Sequence, residues 1–381
     1  MIPAPDRMVP AITRLALTDF RGYGRLDLHP DPDGLVVLTG HNGAGKTNLL
    51  EALSFLSPGR GFRRAALSEI ERLGGPGTGW AVASTLETSL GPVEIGTGRP
   101  PGGTERRVLK LNGAPAKSQT ELSDLLVVSW LTPAMDRLFQ DGSSGRRRFL
   151  DRMVQGFDSQ HAPRLAAYEH AMRERLRLLK ERRAEPSWLG ALEETMAREG
   201  VAVAIARCLL LSNLQTAVNE GIGPFPAADL TLDGEIETAL AVSDPALVEA
   251  DFRAALGQRR RIDADAGATT QGPHRGDLLV RHRAKNMPAP HCSTGEQKAL
   301  LIALLLGNAR LVKATRGVPP LLLLDEVAAH LDEARRAALF DELSALGGQA
   351  WLTGTDRALF DTLGARGRYY TVEDGTVRIS C

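Results

Sequence analysis

The pattern of apolar and polar positions divides the chain into three stretches. Leu35 to Thr39 (LVVLT) is a short apolar run of the length of a buried strand; glycine punctuation and a helical pattern from about Lys46 follow it. Up to residue 145 the pattern is strand-rich, with turn signals at Gly74 to Gly79, Gly96 to Gly103 and Asn112-Gly113. From there to about Gly257 it turns helical. Tyr168 to Ala184 alternates leucines with charged residues, and Ala191 to Val218 carries a long apolar face, with breaks at Pro186 and at Gly221 to Leu230 (GIGPFPAADL). The rest returns to a sheet pattern. Ser293 opens a helix apolar almost all round, a GVPP turn at Gly317 to Pro320 follows, and four leucines, Leu321 to Leu324, end in Asp325 and Glu326. Trp351 to Thr353 reads as a further short strand, and TVEDGTVRIS around Asp374-Gly375 as a closing hairpin. The expected organisation is an α/β head in two segments, 1–145 and 261–381, with a helical lobe inserted at 146–260. That insertion is too short and too interrupted for a long coiled coil.

Composition narrows the class without naming a chemistry. The chain has 381 residues, 43% of them hydrophobic, and no net charge, with 46 basic and 46 acidic residues. A globally basic footprint for nucleic acid is absent. Arginines are nevertheless clustered at Arg60, Arg63 and Arg64, at Arg146, Arg147 and Arg148, at Arg259 to Arg261, and around Arg281, Arg283 and Lys285. Each cluster alone reads as a solvated face; together they would form a phosphate-binding stripe that an oligomer doubles. The cysteines Cys208, Cys292 and Cys381 are too few and scattered for a disulfide framework or a zinc site. No apolar run reaches membrane-spanning length, Ala299 to Leu306 reading as a core helix, and MIPAPDRMVP lacks a secretion pattern. A cytoplasmic protein without a membrane partner is expected.

The chemistry lies at the ends of the apolar runs. Between strand and helix, Gly40, His41, Asn42, Gly43, Ala44, Gly45, Lys46, Thr47 and Asn48 form a phosphate loop. Its glycines let backbone N–H groups approach phosphate oxygens, Lys46 can reach the β and γ phosphates of ATP, and Thr47 can place its hydroxyl on Mg²⁺. Two unpaired acids do not belong in a core, so Asp325 and Glu326 fit the C-terminal edge of a parallel sheet. There Asp325 would hold Mg²⁺ or its water, and Glu326 would serve as base or orienter for the attacking water. Ser293, Gly295 and Glu296 read on their own as an ordinary capped helix with a capping box. Their place, one helix before the acid-tipped strand, argues for more.

That arrangement resembles the ATP-binding cassette class, whose S-x-G-Q/E signature docks on the γ phosphate of a partner subunit. The resemblance implies an ATP-dependent homodimer, with Ala329 to Asp332 as the loop whose Asp332 helps join the two heads, and Thr355 or Asp356 in place of the switch histidine. Within the class, nearly the whole chain is similar to the RecF family, the SMC-like branch that acts in bacterial DNA repair. ITRLALTDFRGY, GHNGAGKTNLLEALSFLSPGRGFR, LTPAMDRLFQDGSSGRRRFLDRM, TTQGPHRGDLLV and CSTGEQK carry the likeness. Gly276 departs from it, standing where that family usually has an acid. No glutamine occupies the Q-loop place; Gln140 is the nearest, and Arg14 and Arg21 are positional candidates for the adenine. The resemblance implies slow ATP hydrolysis, ATP-dependent binding to duplex DNA at single-strand gaps, and cooperation with RecO and RecR in loading RecA. A cassette ATPase coupled to a membrane transporter is the alternative, and would leave GPHRGDL unexplained.

Overall fold

The computed structural model describes residues 9–103, 105–181, 185–219 and 221–380, apart from the side chain of His330. The expectations for Cys381, for Ala184 and for the N-terminal MIPAPDRM fall outside them. The chain forms two compact units, one made of Met1–Asp136, Gly221–Phe225 and Leu301–Cys381, the other of Arg137–Glu220 and Pro226–Leu300. The sequence reading set its boundaries at 145/146 and 260/261. The structural units divide at 136/137, 220/221, 225/226 and 300/301, the last inside the helix Thr294–Arg316.

The first unit holds a six-stranded sheet in the order Thr376–Ile379, Gly367–Glu373, Leu35–Thr39, Ala350–Gly354, Leu321–Leu324, Val128–Leu131. All its pairs are parallel except the terminal hairpin. Leu35–Thr39, Leu321–Leu324 and Ala350–Gly354 are buried at every position, as strands covered on both faces must be. Register aligns Thr39 with Gly354 and Leu352 with Leu324, so Gly40, Asp325 and Thr355 all leave the sheet at one edge. A second, antiparallel sheet runs Tyr23–Leu28, Ala11–Phe20, Trp80–Glu87, Val93–Arg99, Val108–Leu111, Ala114–Pro115. Both sheets share one apolar core with the helix Lys46–Ser54, which buries Leu49, Leu50, Ala52 and Leu53. Phe20, Phe55 and Trp80 meet there, with ring centroids 5.1–6.1 Å apart. Arg107, buried without a carboxylate partner among its hydrogen bonds, donates to the carbonyls of Phe55, Ser57 and Gly59 and to Thr97 Oγ1. It fastens the chain that leaves the helix to the antiparallel sheet.

The second unit packs Ser143–Gln155, His161–Glu181, Pro186–Asn219, Glu235–Leu240, Pro245–Gln258 and Arg260–Ala266 around Tyr168, Met196, Phe252 and Leu256. It is not purely helical. Ala228–Asp233 pairs antiparallel with Asp277–His282, so the strand of the GPHRGDL segment belongs to a separate three-stranded sheet rather than to the phosphate-loop sheet. The helical run breaks before Pro186 as expected: His161–Glu181 ends and Pro186 opens the next helix, whose first position needs no N–H. That 34-residue helix also corrects the expectation that nothing reaches membrane-spanning length, since by length and composition it does. Its inward face nevertheless carries charge: Glu193 pairs with the fully buried Arg175 at 2.9 Å, and Arg207 is bidentate to Asp151 at 2.8 and 2.9 Å. Those pairs make it the core helix of this unit. Among the described residues this is the longest helix, and none forms a long coiled coil.

Candidate functional site

The sequence that makes the phosphate loop also makes its shape obligatory. Gly40, Gly43 and Gly45 have φ of 150°, 87° and 111°. A Cβ on Gly40 would lie 2.3 Å from Val372 O, and one on Gly45 would lie 2.7 Å from Tyr23 Oη. Tyr23, the last residue of the F-R-x-Y turn, donates to Gly45 O at 3.1 Å and so props the loop from below. His41, Asn42 and Gly43 are exposed while Ala44 is buried, so the loop is anchored at its base and open at its tip. Lys46 is buried at the head of its helix and donates from Nζ to Gly40 O at 2.6 Å and His41 O at 2.9 Å. Burial lowers its pKa, against the pull of Glu326 and Asp325.

Asp325 is the meeting point of three elements. Its Oδ1 accepts from Thr47 Oγ1 at 3.0 Å and from Thr353 Oγ1 at 2.7 Å, while its own N–H donates to Leu131 O at 2.9 Å. Burial pushes its carboxyl pKa up, the two hydroxyls and Arg63 oppose this, and Glu326 adds to it. Thr353 is the residue that pattern reading missed: the same hydroxyl that donates to Asp325 accepts the Glu326 N–H at 2.9 Å. Glu326 has a left-handed φ of 50°, a conformation that costs energy for a residue with a Cβ and collects at functional sites. A carboxylate and a hydroxyl in direct contact at the mouth of a phosphate loop suit Mg²⁺, which takes few protein ligands and completes its shell with phosphate and water.

The other candidates divide into those near this edge and those in the second unit. Asp332 is exposed and caps the helix Glu333–Leu346, accepting from Arg335 N at 2.8 Å. Thr355 is exposed just beyond Ala350–Gly354, and Asp356 accepts from Ala358 N at 2.9 Å. In the second unit, Ser293 and Glu296 form a capping box at the start of Thr294–Arg316: Ser293 N donates to Glu296 Oε2 at 3.0 Å, and Glu296 N to Ser293 Oγ at 3.4 Å. Ser293 is exposed, and a Cβ on Gly295 would meet nothing within 4 Å, so the turn is open to an approaching group. Gln140 is exposed in the same unit.

The arginines differ sharply from one another. Arg63 donates to Asn48 Oδ1 at 2.8 Å and to Glu51 at 2.5 Å, and Arg21 holds the same Glu51 from the other side at 2.7 and 2.9 Å. Arg14 pairs with Asp27. Arg146 is bidentate to Asp277 at 2.7 Å on both arms, and Arg147 donates to Ser143 Oγ at 2.8 Å and Gly276 O at 2.6 Å. Arg148 and Arg64 are exposed. The surviving acid of the GPHRGDL pair is therefore the counter-ion of Arg146. Where the other acid would stand, a Cβ on Gly276 would come within 3.2 and 3.4 Å of the Glu237 carboxylate oxygens.

The chain is similar to known proteins along nearly its full length. The model of the RecF/RecN/SMC N terminal domain matches residues 11–376. The DNA replication and repair protein RecF of Rhizobium johnstonii is 52% identical over 371 residues, covering 96% of this chain and 98% of that protein. Its counterpart in Rhizobium rhizogenes is 53% identical over 370 residues, with the same coverage. Among solved structures, the recombination mediator protein RecF-ATP in the RecFOR pathway superposes with a TM-score of 0.86 at 23% identity, covering all of both chains. The Smc head domain of Pyrococcus furiosus follows at a TM-score of 0.55 and 17% identity, over 97% of this chain and 96% of that one. With half of its residues shared along nearly the full length of such relatives, the chain belongs to the RecF family of DNA replication and repair proteins.

Proposed function

We propose that this RecF-family protein is an ATP-dependent DNA-binding protein of recombinational repair whose two copies close around nucleotide and open on hydrolysis. The observation that carries the reading is the contact between Thr47 and Asp325 at 3.0 Å, 278 positions apart in the chain, at the mouth of a loop whose glycines leave its tip open. Lys46 would turn from the Gly40 and His41 carbonyls to the β and γ phosphates, and the loop N–H groups and the helix N-terminus would hold the remaining oxygens. Thr47 and Asp325 would hold Mg²⁺, which would supply charge neutralisation at the phosphates. Glu326, fixed by its backbone bond to Thr353, would orient the attacking water.

The open signature turn supplies the reason for a second copy. Ser293 and Gly295 of the partner subunit would close over the γ phosphate, and Asp332 and Thr355 at the sheet edge would face the joint. Nucleotide then binds the closed state better than the open one, the condition for any ligand-driven switch. A solved RecF is described as a recombination mediator of the RecFOR pathway; with the family shared, we extend that role to this chain, including duplex DNA next to a gap, RecO and RecR as partners and RecA loading as the output. Exposed Arg64 and Arg148 are the better candidates for DNA phosphates, because Arg146 and Arg147 are held by Asp277 and Gly276, and Arg63 by Glu51. The test is ATP hydrolysis by the purified protein with and without gapped duplex DNA. Slow turnover that rises with DNA is expected; absence of turnover under both conditions would overturn the reading.

A further inference from the structure

The signature turn carries an acid, and the structure spends a hairpin on it. Glu296 Oε2 accepts the Ser293 N–H at 3.0 Å, and Oε1 takes the ammonium of Lys285 from the turn that follows Asp277–His282. That turn is fixed on its own account. Asn286 has a left-handed φ of 47° and donates from N to Arg283 O at 3.0 Å; Arg281 donates to Asn286 Oδ1 at 3.0 Å, and Arg283 pairs with Asp229 at 2.7 Å. The antiparallel pairing of Ala228–Asp233 with Asp277–His282 thus delivers a half-exposed cation to the first turn of the signature helix. Hydrogen bonds from Lys285 and Ser293 hold the Glu296 carboxyl at a pKa of about 2, so the acid is charged throughout the neutral range.

A γ phosphate arriving at Ser293 brings negative charge beside that carboxylate. An unpaired Glu296 would repel it, and repulsion across an interface is costly. Paired, the two side chains present little net charge, and the ammonium keeps donors for phosphate oxygen. We infer that Lys285 is a positioning residue for ATP-driven dimerisation, acting through Glu296: it neutralises the signature acid so that the γ phosphate bound to one subunit can dock on Ser293 and Gly295 of the other. This rests on the trans role of Ser293 proposed above. A glutamine at 296 would keep the capping bond to Ser293 N and would need no cation.

The test is dimer dissociation in Mg·ATP, followed by light scattering, for wild type, Lys285→Ala, Glu296→Gln and the double variant. A two-fold dimer contains the contact twice, so a loss of about fivefold at each site becomes roughly 25-fold in the dimer constant. Lys285→Ala is expected to weaken the dimer by about that factor at low salt and by less at high salt, where screening shortens the reach of Glu296. Glu296→Gln alone should weaken it far less than Lys285→Ala does, and in the double variant it should restore dimerisation to within about threefold of wild type. If Lys285 merely braces the helix, Glu296→Gln weakens the dimer as much as Lys285→Ala and the double variant is no better, and the inference falls. An unaffected Lys285→Ala overturns it as well. A wild-type protein that stays monomeric in Mg·ATP overturns the trans reading beneath it.

Discussion

Asp325→Asn separates what the site does for stability from what it does for function. The carboxylate is 5% exposed, lies next to Glu326, and has its pKa raised chiefly by burial. Holding a carboxylate out of water carries an effective penalty of several kcal/mol. Against this, Thr47 and Thr353 donate two hydroxyl bonds to it, at about 1.5–3 kcal/mol each when the acceptor is charged. Asparagine removes the penalty and the repulsion from Glu326, and retains both hydroxyl bonds at about 1 kcal/mol each. The balance favours the variant by about 1–2 kcal/mol, the size of gain seen where a group kept for function is removed. For a unit of this size that is roughly 2–8 °C in Tm. The sign with pH follows from the raised folded pKa. Wild-type stability tied to Asp325 is fully present below the unfolded carboxylate pKa of 3.8 and is lost as pH rises through the higher folded value, so the advantage of Asp325→Asn grows as pH rises through that folded value and shrinks on acidification toward 3.8. The assay is thermal unfolding of both proteins across that range, repeated with Mg·ATP. Ligand at about a hundred times its Kd raises wild-type stability by about 2.7 kcal/mol and should raise that of Asp325→Asn far less. An Asp325→Asn protein less stable than wild type at neutral pH without nucleotide would refute the reasoning.

Three further outcomes are expected. Lys46→Ala should abolish ATP binding in titration calorimetry while leaving the fold intact, since its ammonium donates to the loop carbonyls of Gly40 and His41 and to no side chain that holds the core among the described residues. Gly276→Asp, which restores the residue type usual in the resembled motif, should destabilise the second unit by about 2 kcal/mol or more, because it sets a carboxylate against Glu237, whose pKa burial already pushes up although Arg207 lies 3.7 Å away. Glu237→Ala in the same protein should recover most of that loss in chemical denaturation. Charge reversal at Arg148 should lower ATP-dependent duplex binding and flatten its salt slope, whereas Arg146→Glu should act first on stability by breaking the Asp277 pair.

The phosphate loop, the acid-tipped strand and the signature turn were legible because their chemistry is written locally. Gly40, Gly43 and Gly45 supply the positive φ that the loop needs, and four leucines cannot end in two acids anywhere but at a sheet edge. Contacts made over long separations left no such trace. Asp277 holds Arg146 across 131 positions, and nothing in the periodicity of either segment announces it. The same is true of Ala228–Asp233, whose pairing with Asp277–His282 moves a whole segment out of the phosphate-loop sheet. Thr353 escaped notice because a threonine ending an apolar strand is ordinary until the neighbouring strand places Asp325 beside it. The reading of Arg146 to Arg148 as one basic cluster failed to separate them for a related reason: adjacent residues on a helix point in different directions, and two of the three meet acceptors within the second unit.

The central claim is that ATP joins two copies of this chain through Ser293. Light scattering of Glu326→Gln, with and without Mg·ATP, tests it most directly when paired with the same protein carrying Ser293→Arg. The account predicts that Glu326→Gln doubles in mass with Mg·ATP and persists as a dimer because hydrolysis is slow, while the Ser293→Arg protein binds ATP and stays monomeric. Dimerisation of the Ser293→Arg protein to the same extent would contradict it.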